Sequence, residues 1–443
     1  MGNRQMEQQL DATLAGQASP TIMAAGQASR ASRRRAVIAA SLGNALELFD
    51  FTVFSFFAPL IGKLFFPVQG EYGPLLLALA TFGIGFVMRP VGSVVIGNYA
   101  DRAGRKPALT LTIGLMALGT AIIGLAPTYA QIGMAAPLMV VFGRLLQGFS
   151  AGGEIGASTS FLMESGTRAN RGFMVSWQMA GQGASALAGA LCGALLIHGL
   201  PQASLESWGW RVPFLLGLLI GPVGFYIRRH LDETHQDTGR EQSALSEAVQ
   251  RHGRKLLLGT VLILGGTAEM YVVVFFMPSY LVKTFHLPAA TSLLTGCAAG
   301  AIMLLLSPLA GVLADRLGRR KPLLLVLRVV SLLVMLPGFM LVQHAPSLGS
   351  ALVLVVSVMV LATLGAPAGF LFIMEAFPRR VRATGLAIIY ACGVTLFGGF
   401  AQFIVTWMLS VTGDPLSPAW YVLGCGAASL LALLAFAEQR VAD

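Results

Sequence analysis

The chain has 443 residues, 55% of them hydrophobic and only 11% charged, with a formal net charge of +10. Soluble globular proteins carry about 25% charged residues, so this composition excludes an ordinary soluble domain. A cation excess suits a nucleic-acid partner only when the cations share one patch; here they are segregated by topology, and no nucleic-acid partner is expected.

Residues 1–35 are polar, rich in Ala and Gln, and are expected to form a disordered cytoplasmic tail ending in Arg33, Arg34 and Arg35. Arginines before an apolar run imitate a secretory signal. The segment that follows contains Glu47 and Asp50 and runs for about 25 residues, which reads as an uncleaved first helix. From there, windows of membrane-spanning length recur at about 36–61, 75–99, 107–127, 135–163, 173–198 and 210–229. A polar stretch at 230–253 is expected to be a cytoplasmic linker. Six more windows follow at about 255–283, 289–313, 322–343, 350–374, 384–411 and 418–437, then a cytoplasmic tail at 438–443. Six-helix bundles are thus expected at 36–229 and 254–437.

The two bundles are copies. "GNYADRAGRKP", starting at Gly97, returns as "GVLADRLGRRKP" from Gly311, 214 residues later, and Glu164 in "FLMESGTRANRG" returns as Glu375 in "FIMEAFPRRVRATG", 211 later. Two strings in the same order with nearly the same shift indicate a tandem duplication of a whole bundle. The expected fold class is therefore all-α, with twelve transmembrane helices in two parallel six-helix repeats. Of the 30 Lys and Arg, 24 fall in the two tails and the loops after even-numbered helices. That bias places both termini in the cytoplasm of an inner membrane. Cys192, Cys297, Cys392 and Cys425 lie inside windows, with neither metal-ligand spacing nor a case for a disulfide; no metal is expected.

Ionised groups inside the windows are the functional signal. Glu47, Asp50, Arg89, Arg144, Glu154 and Glu269 fall near mid-depth. Unpaired, six charges would cost roughly 15–20 kcal/mol, so they are expected to converge on a cavity at the midplane between the bundles. In the fourth window Arg144, Gln147, Ala151, Glu154 and Ser158 are spaced 3, 4, 3 and 4 along one stripe, while Gly148, Gly152 and Gly156 form an adjacent packing stripe. Asn44, Glu47 and Asp50 share a face of the first helix, and Gln178, Gln182 and Ser185 a face of the fifth. Arg89 precedes Pro90, which leaves a carbonyl free nearby. Arginine offers a planar fork suited to carboxylates, so Arg89 and Arg144 are the expected substrate clamps, with Asn44, Gln178 and Gln182 beside them. Glu154 or Asp50, then Glu47 and Glu269, are the expected proton carriers, because no histidine lies at mid-depth. Arg328, about two turns from the cytoplasmic end of its window, is expected to snorkel.

The repeated strings sit at the cytoplasmic boundary. Gly97, Asp101, Arg102, Gly104 and Arg105 in the first copy and Asp315, Arg316, Gly318 and Arg319 in the second face Glu164, Arg168 and Arg171, or Glu375, Arg379 and Arg382. Opposite charges from separate loops can bridge when this side is shut and part when it opens, which makes them a gate.

Gly-x3-Asp-Arg-x-Gly-Arg-Lys between helices 2 and 3, its echo between 8 and 9, and "GRLLQG" at Arg144 resemble the signatures of the major facilitator superfamily. "GNALELFDF", "FVMRPVGS", "GRLLQGFSAGGEIG" and "WGWRVPFLLG" resemble its metabolite:proton symporter family. "IGKLFFP", "VSWQMAGQ" and the Asp414–Trp420 string "DPLSPAW" are most similar to its citrate and tricarballylate symporters. Glu269 and "GAPAG" in helix 10 depart from that pattern, which has a hydroxyl residue and an Asn-bearing stretch there. The resemblance implies a proton-coupled importer of a small organic anion, working as a monomer among membrane lipids with no cofactor but the coupling proton. Other substrates within the family are 2-oxoglutarate, shikimate and zwitterionic osmolytes. An embedded transferase would need a clustered nucleophile, base or metal set, a sensor would need an output domain, and an exporter of hydrophobic cations would lack buried arginines; none of these patterns is present in the sequence.

Overall fold

Apolar runs in oil satisfy their backbone polar groups internally, and without strand pairing that means helices. The computed structural model is helical in all twelve windows. It describes residues 30–103, 105–152, 154–167, 169–219, 222, 241–317, 319–378 and 381–438. Side chains are described for all of these except 30–40, 42, 43, 97, 98, 100–106, 109, 154–157, 161, 241–245 and 396.

With one label for each window, α1 (Arg30–Phe56) bends by 65° into Ala58–Phe65. Next come α2 (Gly73–Ala103) and α3 (Arg105–Leu125). α4 is described in two stretches, Ala135–Ala151 and Glu154–Ser165, on either side of residue 153, which lies outside the described residues; α5 (Arg171–Gly199) and α6 (Arg211–Gly217) follow. α7 (Glu241–Glu269) passes through a wide π turn, Met270–Phe276, into Met277–Phe285. α8 (Ala289–Arg316), α9 (Lys321–His344) and α10 (Leu348–Glu375) follow. α11 (Arg382–Val394) has a π turn at Thr395–Gly399 before Ala401–Thr412, and α12 (Ser417–Ala435) closes the series.

Among the described residues eight helices are long and apolar enough to cross a membrane, or nine with the bent α1 pair counted as one. The remaining three windows have specific causes. α3 contributes a short apolar run, Thr110–Leu125, α4 is described in two stretches on either side of residue 153, and the sixth window is described only as far as residue 219 and at 222. Residues 241–253 of the polar stretch are helical and belong to α7, with a kink at His252. Ala248 anchors that turn, fully buried in an apolar cluster that includes Phe377 and Leu386.

Lipid tails solvate apolar side chains as well as protein does, so these helices associate through close packing at small residues. A Cβ on Gly183 or Gly300 would strike the facing helix, which brings α5 against α8. That seam extends from Gly172 and Gly311 at one end to Ala190 and Gly296 further along. Gly83 against Phe400 and Gly399 against Phe86 form a second seam, between α2 and α11 with its continuation. Under the sequence repeat α2 corresponds to α8 and α5 to α11, so the duplication maps one seam onto the other. Within helices α1–α6, Gly148 of α4 lies on the Gly85 carbonyl and Gly152 on the Arg89 carbonyl of α2, as the glycine stripe predicts; the Gly156 side of that stripe lies outside the described side chains.

Candidate functional site

The two seams leave a small cavity between the helix sets, lined by Leu48, Phe51, Thr52, Phe82, Arg89, Gln182, Met270, Tyr271, Phe275 and Tyr390. Its free space is about 20 Å³, room for a water rather than a solute. Arg89, 4% exposed, stacks its guanidinium on Phe86 and Phe51 at 4.2 and 4.8 Å from the ring centroids. Stacking holds the cation in a dry site without using its N–H groups. Arg89 Nε and Nη2 and Gln182 Nε2 are buried without hydrogen-bond partners. Tyr390 lines the same cavity, and Tyr271 packs its ring on Phe82 and Phe86. Each orphaned atom named here is a donor, so the site is short of acceptor oxygens.

A second cluster lies behind an aromatic wall. Arg144, with no exposed surface, sits 3.7 Å from the Phe54 ring centroid and within 5.4 Å of Phe51 and Phe82. Its Nη1 donates to Gln147 Oε1 at 2.8 Å, and Gln147 Nε2 donates to Thr120 Oγ1 at 2.8 Å. Thr120 Oγ1 in turn donates to Asp50 Oδ2, which Gln147 Nε2 also approaches at 3.4 Å. The predicted stripe on α4 is therefore real at Arg144 and Gln147. It binds Asp50 of α1 through α3 and faces the cavity wall from behind.

The other expected site residues divide. Arg89 and Gln182 line the cavity. Asn44 and Gln178 face one another, with Gln178 Nε2 donating to Asn44 Oδ1 at 3.0 Å and Asn44 Nδ2 to the Gln178 backbone carbonyl at 3.4 Å, while Gln178 Oε1 is buried without a partner. Ser185 donates to the Ala45 carbonyl, so Gln178 and Ser185 of the polar face of α5 are turned to α1 while Gln182 reaches the cavity. Glu47 is buried on α1. The Glu154 side chain lies outside the described residues. Glu269 accepts from Arg328 Nη1 at 2.7 Å and Ser331 Oγ at 2.8 Å. This corrects the expectation for Arg328: it does not snorkel, because Gly265 and Gly266 open a slot on α7 for its guanidinium beside Glu269.

On the face that carries the repeated strings, Asp315 accepts from the backbone N–H groups of Gly172 at 2.6 Å and Phe173 at 2.9 Å. A carboxylate from the end of α8 thus caps the N-terminus of α5, where orphan N–H groups and the helix dipole favour an anion. Nearby, Arg320 pairs with Glu375, and its backbone N–H donates to Glu438 at 2.7 Å. Burial pulls the Arg320 guanidinium below its ordinary range, opposed by Asp315 and Glu438. Arg382 donates to the Met374 carbonyl at 2.8 Å, at the end of α10. Glu164, Arg316 and Arg319 are exposed and Arg171 is half-buried. Gly104, Arg168, Gly318 and Arg379, with the side chains at Gly97, Asp101, Arg102 and Arg105, lie outside the described residues. Away from this face, Ser55 Oγ donates to Gln402 Oε1 at 2.8 Å and Lys283 Nζ to the Glu71 carbonyl at 3.4 Å, so both sides of the cavity are bridged.

Sequence reasoning missed Thr120, the aromatic wall and the two tyrosines. Thr120 is one hydroxyl in an apolar run, with nothing local to mark it. Phe51, Phe54, Phe82 and Phe86 fall every three or four residues on α1 and α2 beside the buried arginines, a pattern that could have disclosed the stacking.

The model of the Major Facilitator Superfamily matches residues 40–402 and 271–441. The chain is 35% identical over 420 residues to the citrate-proton symporter of Salmonella typhi, covering 93% of this chain and 96% of that one. It is 33% identical over 413 residues to the alpha-ketoglutarate permease of Escherichia coli (strain K12), covering 91% and 93%. Among solved structures, the D-xylose-proton symporter superposes with a TM-score of 0.73 at 18% identity, over 92% of this chain and 98% of that one. Duplicated helices, mated seams and buried arginines thus agree with these matches, and the chain belongs to the major facilitator superfamily.

Proposed function

We propose that this protein is a proton-coupled importer of a small organic anion, with a tricarboxylate such as citrate or tricarballylate as its substrate. It works by alternating access between bundles at 36–229 and 254–437. It is a transporter and not an enzyme, sits as a monomer in an inner membrane with both termini cytoplasmic, and uses protons in place of a cofactor. The observation that carries this reading is the set of buried donors without acceptors, Arg89 Nε and Nη2 with Gln182 Nε2, around a cavity between the helix sets. Carboxylate oxygens complete them, and the full charge-assisted bonds form only when substrate enters. The citrate relative supports the choice of tricarboxylate, and the alpha-ketoglutarate relative makes a dicarboxylate the second reading.

Asp50 is the proton carrier in this scheme, linked to Arg144 through Gln147 and Thr120 while the aromatic wall separates it from the cavity. Asp315 capping α5 is the cytoplasmic gate. The test is uptake by proteoliposomes of labelled citrate, tricarballylate, 2-oxoglutarate, shikimate and betaine, with and without an imposed pH gradient. Gradient-driven accumulation of a tricarboxylate, lost in Asp50→Asn while exchange continues, is the expected outcome. Accumulation of betaine alone, or a gradient without effect, refutes the reading.

A further inference from the structure

We propose that Thr120 is a positioning residue that sets how tightly Asp50 holds its proton; this rests on the reading of Asp50 as the carrier. The direction of each hydrogen bond in the cluster is forced. Arginine has only donors, so the group 2.8 Å from Arg144 Nη1 must be the carbonyl oxygen of Gln147, which turns the Gln147 amide N–H groups toward Thr120. Thr120 Oγ1 therefore accepts from Gln147, and its single proton is left for Asp50 Oδ2 or the Met116 carbonyl, 3.0 Å away. The chain Arg144, Gln147, Thr120, Asp50 is a row of donors pointing at the carboxylate. Each bond polarises the next, so the guanidinium acts on Asp50 through two neutral groups.

The two carboxylate oxygens are unequal. Oδ2 receives Thr120 and the long contact from Gln147, whereas Oδ1 is buried with no partner. Gly217 of α6 lies against Oδ1, where any Cβ would collide with it. Oδ1 is therefore the free acceptor: water admitted from one side gives up the proton as the Oδ1–H bond forms, and water admitted from the other side takes it as that bond breaks. Once Oδ1 is protonated, Oδ2 is a weaker acceptor and the Met116 carbonyl competes for the Thr120 proton. The hydroxyl thus favours the ionised form and drives release. The charged groups around Asp50 are Arg144 of α4, Arg89 of α2 acting on Arg144, and Glu47 one turn away on α1; α3 and α6 present Thr120 and Gly217 without charge.

The experiment compares Thr120→Val, Thr120→Ala and Thr120→Ser in proteoliposomes, reading the pH at which gradient-driven uptake is half-maximal. Losing one hydrogen bond to a carboxylate moves that midpoint up by about one pH unit in the Val and Ala variants, roughly tenfold in proton affinity, while Ser restores the parent value. Thermal unfolding in detergent reports folding, and if Val does not fold, the Ala and Ser pair, matched in lost methyl, carries the comparison. Midpoints that coincide in Ala, Ser and parent overturn the proposal. Asp50→Asn separates the two levels of inference. Coupling that survives it defeats the carrier assignment itself, whereas coupling lost in Asp50→Asn with Thr120→Ala unchanged defeats only the role of Thr120.

Discussion

Asp315→Asn tests whether the cap on α5 is a gate. The carboxylate accepts two backbone N–H bonds, at 2.6 and 2.9 Å, from the first turn of a helix in the other bundle. Asparagine has one oxygen, so it keeps at most one of the two bonds and removes the charge from the helix terminus. A charge-assisted bond is worth about 1.5–3 kcal/mol; because Asp315 is half-buried and shared with Arg320, about 2 kcal/mol is a fair figure. The contact joins α8 to α5 across the seam, so a gate built on it holds only while this face is shut, and its loss acts on the opening equilibrium. By the tenfold-per-1.4 kcal/mol rule, the open fraction rises roughly 30-fold. Ser176 is buried beneath the seam, beside Gly311. Ser176→Cys, in a background without Cys192, Cys297, Cys392 and Cys425, reports opening through its alkylation by a membrane-impermeant maleimide added at the charged face. Asp315→Asn should speed that alkylation about 10- to 30-fold. A rate within about twofold of the parent, in folded protein, refutes the gate.

Arg89→Lys keeps the charge and loses the fork, and should raise the half-saturating substrate concentration about 10- to 100-fold, measured as binding to purified protein. An unchanged value would place the carboxylate elsewhere. Glu269→Gln leaves Arg328 buried beside a neutral group and should cost about 3–5 kcal/mol of stability, whereas Glu269→Leu with Arg328→Leu should come close to the parent in thermal unfolding. The same double variant should retain gradient-driven uptake, and its loss would make Glu269 a proton carrier after all. Gly148→Leu places a side chain on the Gly85 carbonyl and should lower stability by at least about 1–3 kcal/mol, read as a drop in melting temperature and yield.

The architecture was legible because one rule, satisfy the backbone in oil, leaves little choice beyond helices, and the duplicated strings settled the pairing of copies. Spacing also recovered the Arg144–Gln147 edge of α4 and the glycine edge beside it. Partnership across helices was harder to see. Arg328 looked like a snorkelling residue because its distance from the charged face was readable, while Glu269, 59 positions away, and the slot at Gly265 and Gly266 became neighbours only on folding. Asn44 and Gln178, 134 apart, became neighbours in the same way. Helical periodicity says which side chains share an edge and is silent about which helix that edge meets.

The cavity is chemically lopsided. Its cation comes from α2, whereas α7 and α11 contribute two phenols and an apolar lining, and the described ion pair of α7 is turned away from it. Holding a charge thereby falls to the first gene copy, while the second adds only shape and hydroxyls. Changes at Met270, Tyr271, Phe275 or Tyr390 can retune which acid fits while the machinery that handles charge stays intact, a route by which an ancient duplication could diversify cargo without relearning how to move it.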